Sequence, residues 1–101
     1  MSEPLQPLGE DAMVALEELL AASGLARAEL LELVEFGALE PLVSGDHWLF
    51  LSSCILQARR AARLRDDFGL NPAGMALALA YLERIDELER RLQELECQIL
   101  R

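Results

Sequence analysis

The side chains that could support catalysis are few and lie far apart in the sequence. The 101 residues include one histidine, His47, and two cysteines, Cys54 and Cys97. They include no Ser-His-Asp arrangement, no glycine-rich phosphate loop, and no group of histidine, cysteine and carboxylate residues at metal-ligand spacing. We therefore predict that the protein is not an enzyme, that it holds no metal or cofactor, and that both cysteines are reduced structural thiols.

A regular series of carboxylates is the pattern with the clearest chemical meaning. Glu29, Glu32 and Glu35 recur at every third residue of a predicted helix, so they form an acidic stripe along one side of it. Such a stripe can attract a basic partner surface. It can equally be a solvated helix face, or it can pair with Arg59, Arg60 and Arg63. The residues of the same helix that are predicted to face inward are Leu30, Leu31 and Val34.

The net charge of the chain is concentrated in its first half. Residues 1–50 carry ten acidic residues and one basic residue, a net charge of −9, whereas residues 51–101 carry eight of each. Every basic residue is an arginine. Four arginines cluster in a predicted third helix, where we interpret them as a solvated face or as ion-pair partners of the acidic half: Arg59, Arg60, Arg63 and Arg65.

The hydrophobic pattern predicts four helices and one β-hairpin. Helices are predicted over residues 11–22, 26–36, about 52–68 and 71–101, and a glycine follows each of the first three. Two short apolar runs, residues 42–43 and 48–50, flank a Ser-Gly-Asp-His loop and predict the hairpin. The inner face of the third helix is predicted to consist of Ile55, Leu56, Ala58, Ala62, Leu64 or Arg65, and Phe68.

These elements predict a mainly all-α fold. Residues 1–10 are predicted to form a flexible leader, residues 11–70 a winged helix-turn-helix domain with a small β-wing, and residues 71–101 a long C-terminal coiled-coil helix. The sequence has neither an apolar run long enough to span a membrane nor a signal-peptide pattern. We therefore expect a cytoplasmic protein with no membrane partner.

The last helix carries the longest regular pattern. Asn71 and Pro72 form a strong start, and the apolar residues that follow at alternating spacings of three and four are Ala78, Tyr81, Ile85, Leu88, Leu92, Leu95 and Ile99. This heptad pattern predicts a homodimer, because a single copy would leave a row of large aliphatic side chains in water. The flanking charges match in a parallel pair, whereas a near-symmetric antiparallel pair would place like charges together: Arg84, Glu89, Arg91 and Glu96.

A helix-turn-helix also suggests a DNA-binding transcriptional regulator, and the charge pattern argues against that alternative. A recognition helix must approach phosphates that carry about one charge per 1.7 Å of duplex axis. The second helix offers three glutamates against Arg27 alone, and the wing adds Asp46. We therefore expect no specific binding to nucleic acid.

Several segments, taken in order, resemble the chaperone-modulator family CbpM, whose head is similar to that of MerR-type regulators. The segments are residues 34–41 (VEFGALEP), 48–50 (WLF), 61–71 (AARLRDDFGLN) and 74–82 (GMALALAYL). The resemblance covers about residues 16–95 and implies a MerR-like winged helix-turn-helix fold, in which the last helices of a dimer would pair antiparallel. It also implies that the partner is the J-domain of a CbpA-type co-chaperone, a DnaJ homologue, and that binding inhibits the cooperation of that co-chaperone with DnaK.

The partner surface is predicted to lie on the second helix and its rim. J-domains present a basic helix to DnaK, and the acidic stripe could compete for it. The residues expected at this surface are Glu29, Glu32, Glu35, Phe36, Glu40 and Trp48. Trp48 has a second interpretation, as a core aromatic that holds the wing in place.

Overall fold

Four helices and two short strands make up the part of the chain that the computed structural model describes, residues 12–100. In chain order they are β1 (Met13–Ala15), α1 (Leu16–Ser23), α2 (Arg27–Glu35), β2 (Leu49–Leu51), α3 (Cys54–Phe68) and α4 (Pro72–Leu100). The predicted mainly helical fold, with a small sheet and a long C-terminal helix, is confirmed. The predicted leader, residues 1–10, lies outside the described residues.

The first helix is shorter than predicted, because residues 13–15 form a strand. β1 pairs antiparallel with β2, with Val14 opposite Phe50. The helix begins after Ala15, whose N–H donates to Glu18 Oε1 at 2.9 Å. This bond supplies one half of a capping box, since alanine has no side-chain oxygen to complete the other half. The prediction extended the helix to residue 11 because the partner strand lies far along the chain and leaves no local signal.

The predicted hairpin exists as a single bridge. Val43 and Leu49 exchange backbone hydrogen bonds of 3.3 Å and 3.0 Å, and the Leu42 N–H donates to the Leu49 carbonyl at 2.7 Å. Leu49 therefore lies between Val43 and Ala15, and the longer pairing of β2 is with β1. The wing is thus tied to the start of the domain rather than standing alone.

The core lies where the helices cross. α1 packs against α3, and both α2 and α3 pack against α4. The fully buried side chains of largest volume are Phe50, Leu19, Leu30, Leu33, Leu39, Met75 and Leu79. The presence of Met75 and Leu79 means that the first part of α4 belongs to the core of the head.

The predicted buried faces of α2 and α3 are wrong in part. In α2 the buried pair is Leu30 and Leu33, whereas Leu31 and Val34 are only partly buried. In α3, Leu56 and Phe68 are 60% and 71% exposed. Phe68 occupies the last position of α3, just before Gly69, which adopts the left-handed conformation, so its side chain falls beyond the elements that cover the helix.

The start of α4 is as predicted. The Asn71 side-chain oxygen accepts a hydrogen bond from the Gly74 N–H at 2.8 Å, and the Asn71 carbonyl accepts one from Met75. Pro72 is the first helical residue. Within residues 12–100, no helix combines the length and the apolar character needed to cross a membrane.

Candidate functional site

The end of α2 sets the geometry of the predicted partner surface. The Ala38 N–H donates to the Leu33 carbonyl at 2.9 Å, and the Gly37 N–H donates to the Val34 carbonyl at 3.0 Å. These two bonds form a Schellman motif, which requires a left-handed residue after the helix. Gly37 has φ +82° and meets that requirement without steric cost. The motif turns the chain sharply and leaves Phe36 at the edge, 56% exposed.

Glu29 does not belong to an open acidic stripe. Its Oε1 accepts a hydrogen bond from the Ala26 N–H at 2.9 Å and pairs with Arg65 Nη1 at 2.6 Å. The two side chains are 23% and 28% exposed. The prediction had proposed Arg59, Arg60 or Arg63 as possible partners, and the structure places Arg65 there instead.

Glu32 and Glu35 remain on the open face of α2. Both are exposed, and neither carboxylate forms an ion pair or side-chain hydrogen bond with any other residue in the described range 12–100. Of the three glutamates in the stripe, Glu29 therefore has a structural role, whereas Glu32 and Glu35 are available to contact a partner. This division follows from the reach of Arg65 on α3 to Glu29, which the spacing of the glutamates alone could not reveal.

Phe36 and Glu40 line a shared groove of about 640 Å³. One wall is the turn over residues 36–40, and the other is the first half of α4. Residues that the sequence analysis did not assign to the site complete it: Gln57, Ala76, Ala80 and Glu83. Gln57 Nε2 donates to Glu83 Oε2 at 3.3 Å. No local signal could have found these residues, because α3 and α4 reach the turn only through the tertiary fold.

Trp48 lies in a different depression, beside Arg27 and His47. It is partly buried, and its ring stacks on Phe50 with centroids 6.3 Å apart and 14° between the planes. This contact favours the interpretation of Trp48 as an aromatic that holds the wing on the core. The structure does not bring Trp48 together with Phe36 and Glu40.

Cys54 lies in the groove wall and is partly buried. Burial raises the pKa of its thiol above the ordinary value of 9.0, and the nearby charge of Glu40 raises it further, while backbone hydrogen bonds at Glu40 and Leu51 oppose this. The thiol therefore stays protonated near neutral pH and is a poor nucleophile.

Three of the clustered arginines make contacts within the head. Arg59 Nε donates to the Ala22 carbonyl at 3.0 Å, and Arg60 pairs with Asp86 at 3.6 Å. Arg65 contacts both Glu29 and Asp66. The carboxylates of Asp66 and Glu29 raise the pKa of Arg65, so this guanidinium keeps its charge wherever the protein is folded. These contacts favour the interpretation of the cluster as mainly structural.

The predicted seam on α4 is exposed from Tyr81 to Ile99. Its large side chains range from 46% to 80% exposed: Tyr81, Ile85, Leu88, Leu92, Leu95 and Ile99. They share one face of the helix because they follow the heptad spacing. The groove residues Ala76, Ala80 and Glu83 lie about 100° to 160° around the helix from Tyr81, at about 100° of rotation per residue. The seam and the groove are therefore separate surfaces.

Comparison with known proteins agrees with the fold. The sequence model of the MerR HTH family regulatory proteins matches residues 14–97. The chain is 38% identical to the chaperone modulatory protein CbpM of Coxiella burnetii (strain Dugway 5J108-111) over 82 residues, which are 80% of this chain and 77% of the relative. It is 42% identical over 62 residues to CbpM of Pseudomonas putida (strain W619), covering 58% and 59% of the two chains. It is 35% identical over 69 residues to CbpM of Citrobacter koseri, covering 67% and 68%. The resemblance seen in the sequence is thus confirmed, and the chain belongs to the CbpM family of MerR-type helix-turn-helix proteins.

Proposed function

We propose that this protein is a chaperone modulator that binds the J-domain of a CbpA-type co-chaperone and blocks its cooperation with DnaK. Relatives named chaperone modulatory proteins support the general role. The observation that carries the proposal is the acidic surface at the end of α2. There Glu32, Glu35 and Glu40 are exposed beside Phe36, and none of the three carboxylates is ion-paired within residues 12–100. A J-domain presents a basic helix to DnaK, and this surface is suited to compete for that helix.

Charge and apolar contact have different tasks at such a surface. Glu32 and Glu35 accelerate the encounter with a basic partner and select it against acidic ones, and salt weakens this effect. Phe36 supplies an aromatic side chain that a partner can bury. Buried aromatic side chains usually contribute much of the binding free energy of an interface. Glu29 adds negative charge near this surface, but its carboxylate already pairs with Arg65 and accepts a hydrogen bond at the start of α2.

The test is the association rate with the J-domain of a DnaJ homologue from the same genome, measured at several salt concentrations. The double variant Glu32→Lys/Glu35→Lys should associate about tenfold more slowly at low salt and should lose most of the salt dependence. The control is Asp67→Lys/Glu94→Lys, which changes the net charge equally at exposed positions elsewhere. The parent should also lower J-domain-stimulated ATP hydrolysis by DnaK, and the double variant should do so less.

The proposal has clear failure outcomes. If the double variant associates as fast as the parent, the acidic face of α2 is not the site. If the control variant is slowed instead, the site lies on α3 or towards the tip of α4. If the parent does not bind a J-domain at all, the proposed partner is wrong.

The homodimer also belongs to the proposal. It rests on the exposed seam of α4, which a second copy would cover. Leu88→Asp with Leu92→Asp should convert a dimer into a monomer in sedimentation at about tens of micromolar, because each change puts a charge into the seam. Arg90→Asp, on the other side of the helix, is the matched control. A parent that is already monomeric at this concentration would contradict the dimer. The orientation of the two helices stays open.

A DNA-binding regulator is the alternative function, and the contacts of the described residues count against it. Two glutamates remain exposed on α2, the helix that would enter a DNA groove. Arg59, Arg60 and Arg65, which could contact phosphates, already contact the Ala22 carbonyl or acidic side chains. Binding to DNA would require these contacts to break while the exposed glutamates approach phosphates.

A further inference from the structure

The groove beside Phe36 has a distinctive combination of shape and charge. Its floor includes the small side chains of Ala76 and Ala80, one turn apart on α4. Glu40 stands on one wall and Glu83 on the other, and no lining residue is basic. Neither carboxylate forms an ion pair with any residue in the range 12–100. The groove is thus negative, with an aromatic ring at one edge and room along the floor.

This combination suits a long basic side chain. The aliphatic stem of arginine or lysine can lie along an alanine surface while its charged end remains among carboxylates. An arginine can also stack on an aromatic ring and form paired hydrogen bonds with a carboxylate. The volume of about 640 Å³ accommodates a few side chains of a partner and not a whole helix.

We infer that the groove receives a basic side chain of the partner chaperone: its stem lies over Ala76 and Ala80 against Phe36, and its charged end lies between Glu40 and Glu83. The inference rests on the proposed function and extends the partner surface from α2 across the turn to α4. The groove is continuous with the acidic end of α2, since Phe36 belongs to both. The seam runs along a different side of α4, about 100° to 160° around the helix from Ala76, Ala80 and Glu83.

The experiment compares the affinities of four variants for the J-domain of a DnaJ homologue from the same genome. Ala80→Trp should fill the floor and weaken binding by about tenfold or more. Ala73→Trp, at another exposed alanine of α4 outside the groove, should change the affinity by less than about twofold. Glu40→Gln/Glu83→Gln removes the two charges with little change of shape and should also weaken binding by about tenfold. Glu94→Gln is the charge control.

The outcomes separate this inference from the proposed function. If the parent binds and Ala80→Trp and the double glutamine variant bind as tightly as the parent, the groove is not used and the inference is wrong, while the proposed function stands. If the parent itself fails to bind the J-domain, both are wrong. The double glutamine variant keeps the test decisive even if Ala80→Trp perturbs folding, which circular dichroism and thermal unfolding of each variant will show.

Discussion

Replacing Glu29 should lower stability, whereas replacing its neighbour Glu32 should not. Glu29 accepts a backbone hydrogen bond from Ala26 at 2.9 Å and pairs with Arg65 at 2.6 Å. Loss of a helix-start hydrogen bond costs about 1 kcal/mol. The ion pair is about a quarter exposed, and after allowance for solvent screening we assign it about 1 kcal/mol as well. Glu29→Ala should therefore lower the free energy of unfolding by about 2 kcal/mol.

The assay is urea and thermal unfolding at one fixed protein concentration, because self-association would make the midpoint depend on concentration. A loss of 2 kcal/mol corresponds to a decrease of about 8–16 °C in Tm for a domain of this size. Glu32→Ala is the matched control, since it makes the same change in the same helix at a residue without such contacts. Its free energy of unfolding should stay within about 0.5 kcal/mol of the parent. Glu29→Gln should fall between the two, because an amide oxygen can still accept the bond from Ala26.

Equal stabilities of Glu29→Ala and Glu32→Ala would refute this reasoning. That result would mean that the contact between α2 and α3 through Arg65 is not maintained in solution. Glu29 would then rejoin Glu32 and Glu35 as a candidate partner residue. For this reason the charge-reversal variant proposed for the J-domain test omits Glu29.

Four further predictions concern other features of the chain. Gly37→Ala places a Cβ at φ +82°, so it should lower the free energy of unfolding by about 1 kcal/mol and weaken J-domain binding through displacement of Phe36; unchanged urea unfolding would contradict the assigned backbone geometry. Cys97 is exposed and should react with a thiol reagent well before Cys54, and mass spectrometry after partial labelling will identify the modified residue. The pKa of the Cys54 thiol is raised in the folded state, so the thiol contributes stability that is complete below the ordinary value of 9.0. This contribution is lost as pH rises through the raised pKa. The free energy of unfolding of Cys54→Ala should therefore depend less on pH above 9.0 than that of the parent. At about 0.15 M salt, no DNA band should be retarded in the presence of non-specific competitor, and a retarded band would revive the regulator alternative.

The parts of the fold that depend on local chemistry could be predicted from the sequence. Asn71 and Pro72 mark the start of α4 because their preferences act within one turn. Gly37 marks the end of α2 for the same reason. The heptad spacing identified the seam, since periodicity needs no knowledge of the tertiary fold. The strand at Met13–Ala15 was missed because its partner, β2, lies more than thirty residues away.

The candidate site could be predicted only in part for the same physical reason. Exposed Phe36 and Glu40 were included because they follow the acidic helix directly. Glu83 was missed, since only the packing of α4 against α2 brings it to the groove. The ion pair between Glu29 and Arg65 depends on the tertiary fold that brings α3 near α2, which three-residue spacing does not encode.

The two halves of α4 differ in what keeps them helical. Met75 and Leu79 anchor the first half in the core, whereas every residue from Leu88 to Leu100 is exposed. An unsupported helical segment of about a dozen residues is only marginally stable in water. The proposed homodimer would cover this segment. If it forms, backbone amides in the distal half should exchange with solvent deuterium faster in dilute samples than in concentrated ones, while those near Met75 should exchange at a rate independent of concentration. The tip of α4 would then complete its folding only when two chains meet, so that protein concentration controls the length of the ordered helix.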